Sequence, residues 1–239
     1  MKGKSLMYIA LFAVILALII ISPIFSVTEV EISGNNRLTN REIIEIIEFD
    51  LGKNIFSLSQ RNARDKLLKN PYIQDVNIRK DFLNRKIEIV LTERIVRGYV
   101  EYSSNEFLYI DREGRILEIR SSFTKRLPVI VGLRLNEGFV LGELLNVENP
   151  SAFNIMITLT ALFEKYDIDQ DVVRVVLSNE DDINFFYHRI NVKLGSNDDL
   201  DMKLRTLERI LPTLEEHKYI GGRLFIENMS IEPYFSPQS

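Results

Sequence analysis

The chain predicts an α+β protein with three parts: one N-terminal membrane helix, a β-α-α-β-β module, and a larger mixed β domain with two helices. Three observations predict it. An uncharged run from Ser5 to Thr28 follows Lys2 and Lys4. A helix over it, at about 1.5 Å per residue, is roughly long enough for a bilayer core of about 30 Å. Between Val27 and Thr92 the apolar spacing passes from period two to helical and back to period two. Beyond Gly98 the chain reads as short strands, interrupted by two long stretches of helical spacing. The expected boundaries are a cytoplasmic tail over 1–5, a membrane helix over 6–27, the small module over 28–95 and the β-rich domain over 96–239.

The apolar run exceeds the roughly 7–15 residues of a signal h-region, and Ser22-Pro23-Ile24-Phe25-Ser26 is a poor cleavage site, so a retained anchor is expected. Lys2 and Lys4 on one flank, with Glu29 and Glu31 on the other, place the N-terminus in the cytoplasm and the bulk outside. Val27 to Ser33 alternates as a half-buried strand, and Gly34-Asn35-Asn36 turns it. Thr39 to Glu42 is a capping box opening a helix with Ile43, Ile44, Ile46 and Ile47. A second helix over Ser59 to Lys69 turns Ala63, Leu67 and Leu68 inward, and Asn70-Pro71 ends it. Two strands follow, Ile73 to Arg79 and Lys86 to Thr92.

In the β-rich part, Phe107 to Ile110 and Arg115 to Ile119 form a hairpin around Asp111 to Gly114. Pro128 to Gly132 is a buried strand. Asn149-Pro150 caps a helix with Phe153, Met156, Leu159, Phe163 and Tyr166 in a stripe. Asp171 to Leu177, Asp182 to Tyr187 and Ile190 to Leu194 are strands. Leu200, Leu204, Leu207, Leu211 and Leu214 mark a long helix kinked at Pro212 and stopped by Gly221-Gly222. Arg223 to Glu227 and Ile231 to Phe235 form a terminal strand pair around Asn228-Met229-Ser230.

Composition narrows the chemistry. Two of the 30 Lys and Arg precede the apolar run, leaving 28 against 34 Asp and Glu, so no basic field for nucleic acid exists. Without Cys there is neither a disulfide framework nor thiol chemistry. His188 at a strand turn and His217 near a helix end read as surface residues. Asn197-Asp198-Asp199-Asp201 lacks EF-hand spacing and reads as an acidic helix start. Glu180-Asp181-Asp182 reads as a solvated turn. No nucleophile elbow, zinc helix or phosphate loop is present. The chain is therefore expected to be no enzyme and to take no catalytic, metal or cofactor ligand; a Ser-Lys dyad is not ruled out by sequence alone.

An ordered series of segments resembles the FtsQ/DivIB cell-division family nearly end to end. The first is V-T-E-V-E-I-S-G-N-N-R-L-T-N-R-E-I-I from Val27 to Ile44. Next come G-K-N-I-F-S-L from Gly52 to Leu58 and N-P-Y-I-Q-D-V-N-I-R-K from Asn70 to Lys80. I-E-I-V-L-T-E-R from Ile87 to Arg94 and Y-I-D-R-E-G-R-I-L from Tyr109 to Leu117 follow. Leu127 to Gly132, V-K-L-G from Val192 to Gly195, and Lys203-Leu204 complete it. Two segments depart from the pattern: Asp81 to Arg85 lacks the usual Pro, and Leu224 to Asn228 lacks the usual Asp-x-Arg. The small module resembles the family's POTRA domain.

The resemblance implies a single-pass adaptor at the division septum. It would bind FtsB/DivIC-like and FtsL-like single-span coiled-coil proteins outside the membrane, would meet the bilayer through residues 6–27, and would help control septal peptidoglycan synthesis. The expected contact is the terminal strand pair: Arg223, Leu224, Phe225, Ile226, Glu227, Ile231, Tyr234 and Phe235. A partner strand would add to its edge, where Pro233 is tolerated. Pro233 can equally be a block against unwanted pairing; the resemblance favours docking. The competing classes are a POTRA-bearing chaperone or polypeptide-translocation component, and an anchored wall hydrolase.

Overall fold

The computed structural model describes residues 7–14, 22–103, 105–123, 126–216 (backbone alone at 215) and 221–237. The chain divides after Arg94 into two units, Met1–Arg94 and Ile95–Ser239.

The first unit runs β1 (Glu29–Ser33), α1 (Asn40–Ile47), α2 (Gln60–Leu67), β2 (Ile73–Asp81) and β3 (Lys86–Glu93). Its sheet order is β1-β3-β2, with β1 parallel and β2 antiparallel to β3. Local chemistry starts each helix. The Thr39 hydroxyl accepts from Glu42 N–H at 3.3 Å, and the Glu42 carboxylate accepts the Thr39 N–H at 2.8 Å. The Ser59 hydroxyl caps α2 by accepting from Asn62 N–H at 3.3 Å. After β1 the chain reverses at Gly34, where φ is +82° and a Cβ would stand 2.0 Å from the Leu91 carbonyl oxygen. The Glu93 carboxylate then takes the N–H groups of Asn36, Arg37 and Leu38 at 2.8, 2.7 and 3.0 Å. Ile43, Ile47, Ala63 and Leu67 from the helices are buried against Val76, Ile78, Ile87, Ile89 and Leu91. Ile44 and Ile46, expected on the same face, are half-buried.

The membrane helix expected over 6–27 is corrected. Among the described residues no helix is long and apolar enough to cross a membrane. The described helical stretch is 7–14, and Pro23–Phe25 is a single 3₁₀ turn capped by Ser22. The expected outer end of the span instead belongs to the first unit. Val27 is 2% exposed, its N–H donates to Lys53 O at 2.9 Å, and Phe25 meets the edge of Phe56 with ring centroids 5.2 Å apart. Apolar residues at the end of a long apolar run served the core of a domain, which hydropathy alone does not distinguish. The bilayer contact expected through residues 6–27 rested on that span, and the described residues do not show it. The expected tail over 1–5 and residues 15–21 lie outside the described residues.

The second unit carries one mixed sheet of nine strands in the order β12-β11-β10-β9-β8-β7-β4-β5-β6. These are β4 (Gly98–Ser103), β5 (Glu106–Ile110), β6 (Ile116–Arg120), β7 (Val129–Val131), β8 (Val172–Val176), β9 (Ile183–Tyr187), β10 (Ile190–Gly195), β11 (Gly222–Phe225) and β12 (Tyr234–Pro237). Helices α3 (Pro150–Lys165) and α4 (Leu200–Glu216) supply the apolar side chains that cover it. Met156, Leu159 and Phe163, and Leu204, Leu207 and Leu211, share one core with Val100, Leu108, Ile130, Phe185, Val192 and Leu224. Pro212 lies within α4. Between α4 and the sheet, Lys203 is 2% exposed, and its Nζ donates to Leu194 O at 2.8 Å and Ser196 O at 2.9 Å. Burial lowers the affinity of this amine for its proton.

Candidate functional site

The candidate site is built from the last three strands of the nine-stranded sheet. β11 pairs parallel with β10, setting Asn191 beside Arg223 and Val192 beside Leu224. β12 returns antiparallel, with Leu224 opposite Phe235 and Phe225 opposite Tyr234. Among the described residues β12 is the end of the ladder, with a strand on one side alone. Gly222 lets it approach: a Cβ there would lie 2.5 Å from Ser236 O and 2.6 Å from the Phe235 ring.

Alternation sorts the expected contact residues into two faces. Leu224 and, just past the strand, Ile226 are each 1% exposed, and Phe235 packs against the same core. On the opposite face Phe225 and Tyr234 stack with centroids 4.4 Å apart and ring planes 12° from parallel. Tyr234 remains 57% exposed. Arg223 is exposed on that face, opposite Ser236. Glu227 and Ile231 lie outside the ladder, where the sequence had extended both strands; Ile231 is 62% exposed in the connecting turn. The ladder is pulled toward the chain end because β11 starts at Gly222 and β12 reaches Pro237, which needs no N–H on an edge.

Beside this edge lies a cleft of about 430 Å³ lined by Phe186, Arg189, Asn191, Gly222, Arg223, Ser236 and Pro237. The buried Asn191 Oδ1 has no hydrogen-bond partner among the described residues. Two guanidinium groups therefore line an open cleft at the end of the sheet. Arg189 and Asn191 were missed from sequence. No motif links them to Arg223, because β10 and β11 are joined in parallel across α4.

The remaining sequence candidates stand apart from this edge. His188 turns β9 into β10 at φ +49°, its Nε2 3.4 Å from Asp171. His217 lies outside the described residues. Asp201 is held by Lys165 at 2.5 Å and by the Tyr166 hydroxyl at 3.0 Å, and Asp198 accepts from the Ser196 hydroxyl at 2.9 Å. Asp182 pairs with Lys193 at 2.6 Å, and Glu180 with the Asn149 side chain. Among the described residues no group of three or more His, Cys, Asp or Glu side chains could hold a metal ion.

Two family descriptions match consecutive parts of the chain: "POTRA domain, FtsQ-type" over residues 25–94, and "Cell division protein FtsQ/DivIB, C-terminal" over residues 98–224. The chain belongs to the FtsQ/DivIB family of cell division proteins. It is 29% identical to cell division protein DivIB of Clostridium tetani over 208 residues, 87% of this chain and 78% of that protein. With DivIB of Clostridium botulinum (strain Hall) it shares 29% over 222 residues, 92% and 86% of the two chains. Cell division protein FtsQ of Syntrophotalea carbinolica is 25% identical over 198 residues, 81% of this chain and 68% of that one. Membership of this family gives the chain a role in cell division.

Proposed function

We propose that the chain is a non-enzymatic adaptor of the division septum. It binds FtsB/DivIC-like and FtsL-like single-span coiled-coil proteins and thereby helps control septal peptidoglycan synthesis. The observation that carries this reading is the end of the nine-stranded sheet: a four-residue strand, Tyr234–Pro237, with a neighbour on one side alone among the described residues. An extended partner segment adds there as a further strand, with main-chain bonds for affinity and alternate side chains for selection. The exposed Phe225–Tyr234 stack offers an aromatic contact, and Arg189 and Arg223 in the adjoining cleft select carboxylates on the same face of the incoming strand.

The test is capture of the full chain by an immobilised external region of the FtsB/DivIC-like protein from the same cell. Deleting residues 231–239 removes β12 and should abolish capture. Because Phe235 packs on the core, Arg189→Glu/Arg223→Glu is the companion variant. It leaves the core untouched and should weaken capture by about 1.5–3 kcal/mol, the range of charge-assisted bonds. Full-strength capture by either variant, with circular dichroism showing it folded, would remove the site from this edge.

A further inference from the structure

The three-stranded sheet of the first unit ends in two edges, and they are finished differently. Along β2, Gln60 Nε2 donates to Ile78 O at 2.7 Å and Arg64 Nε to Val76 O at 3.1 Å. The Asp75 carboxylate accepts the Val76 N–H. Val76 and Ile78 are alternate residues, so these groups form one row along the strand. Side chains from α2 and from β2 itself thus occupy the groups that an incoming strand would need.

β1 carries no such cover. Thr28 N–H donates to Arg85 O at 3.0 Å, and Glu29–Ser33 continues in parallel register with β3. Because the main-chain groups of Val76 and Ile78 face outward from β2, those of residues 87, 89 and 91 of β3 face β1. The register then bonds Glu29, Glu31 and Ser33 to β3 and turns the main-chain groups of Val30 and Ile32 away from it. Among the described residues no hydrogen bond from outside the sheet reaches them. Cover stops just before: Val27 is bonded to Lys53 O and Gly52 N–H at 2.9 Å each, so the 52–54 segment shields the edge up to Val27.

The side chains along β1 define what fits. Glu29 and Glu31 are exposed on one face, and Val30 and Ile32 on the other are half-buried members of the core. The first face holds Glu29, Glu31 and Glu88 around the one ammonium of Lys86, which pairs with Glu31 and lies 3.7 Å from Glu88. It is left net acidic. A second copy of the chain is a poor occupant, since antiparallel pairing centred on Glu31 sets that carboxylate opposite itself.

We infer that the β1 edge is a second strand-docking site, for an extended segment of another protein in which Lys or Arg alternates with apolar residues. The basic side chains lie beside Glu29 and Glu31. The apolar ones extend the core past Val30 and Ile32. The main chain pairs with the outward groups of Val30 and Ile32. This site is independent of β12, because it is formed by the other unit.

The experiment titrates the full chain with a short synthetic peptide alternating Lys with Val, and follows amide exchange by NMR. The expected result is binding with slowed exchange at Val30 and Ile32. Backbone N-methylation of the peptide should abolish it, and deletion of 231–239 should leave it intact. The double variant Glu29→Lys/Glu31→Lys, at exposed positions, should weaken the Lys peptide by about tenfold or more and favour a Glu-Val peptide instead. Val30→Pro removes one outward N–H and should also weaken binding; if that variant fails to fold, the charge reversal decides. The inference is overturned if the chain does not bind the peptide, if reversal leaves its affinity unchanged, if the N-methylated peptide binds equally, if protection appears at Tyr234–Pro237 instead, or if the chain self-associates through β1.

Discussion

The first unit is tied together at its surface, the second through its interior. In the first, carboxylates close the local geometry. Glu42 completes a capping box, Glu93 holds the turn after β1, and Asp81 takes the Asn84 and Leu83 N–H groups at 3.0 and 3.1 Å. In the second, one apolar layer runs under the sheet, and its polar ties include two buried groups: the Lys203 ammonium on two carbonyls and the Asp111 carboxylate on the Glu113 and Arg115 N–H groups. The small unit has little interior to spend on stability and adds many local polar ties. The larger one buries enough apolar surface to hold a desolvated cation. Each therefore has its own vulnerable point.

The sharpest way to break this comparison is a charge in either core. Ile43 and Leu204 are both 0% exposed. Ile43→Asp buries an unpaired carboxylate in the first unit, at a cost of about 3–5 kcal/mol, and Leu204→Asp does the same in the second. Amide exchange across the full chain should show protection lost over 28–94 in one variant and over 98–225 in the other. Simultaneous loss in both units would mean that they fold as one. Ile46→Asp should cost less, because Ile46 is half-buried and its carboxylate can reach water.

A smaller effect tests the Lys203 tie itself. Lys203→Met keeps most of the apolar stem and removes the donor to Leu194 O and Ser196 O. Leaving these carbonyls unsatisfied should cost about 1–3 kcal/mol. Exchange should rise first at the end of β10 and the start of α4. An unchanged melting temperature would show that water replaces the ammonium there.

The same contrast explains what the sequence shows and what it hides. The first unit is legible because its signals are local: Thr39 and Glu42 are three residues apart, and Ile87, Ile89 and Leu91 alternate on a single strand. The terminal pair was found, but its register was displaced, because Phe225–Tyr234 pairing is fixed by Gly222 against Phe235 and not by the Asn228 turn. β4 escaped notice because Gly98-Tyr99-Val100 is buried on consecutive residues and shows no alternation. The cleft residues Arg189 and Asn191 meet Arg223 through a parallel pairing across α4, which no local pattern encodes. The apolar run before Val27 misled for the opposite reason: its hydropathy is local, whereas the packing of Phe25 on Phe56 is not.

The smallest expected effect is acid sensitivity, and it should differ between the units. In the first, the Glu42 carboxyl is held below its usual range by the Thr39 N–H and then the Thr39 hydroxyl, and Asp75 by the Val76 N–H and then Arg64. The Asn84 N–H and then its side-chain amide do the same to Asp81, and Lys66 to Glu48. In the second, Asp201 is held down by Lys165 and then Tyr166. A carboxyl depressed in the folded state contributes stability that is complete above its unfolded value and is lost as pH falls through its folded value. The loss should therefore begin as pH drops through the ordinary carboxylate range, near about 5, and grow below it. With four such groups against one among the described residues, the first unit should lose amide protection at a higher pH than the second. Glu42→Gln is the decisive control. Glutamine at that position still closes a capping box but does not titrate, so the variant should stay folded near neutrality and show a flatter acid limb for the first unit. Salt should weaken the Asp75–Arg64 and Glu48–Lys66 contributions by screening exposed pairs, and should leave those of Glu42 and Asp81, which rest on backbone N–H groups, in place. If both units lose protection over the same pH range, the surface ties do not distinguish them.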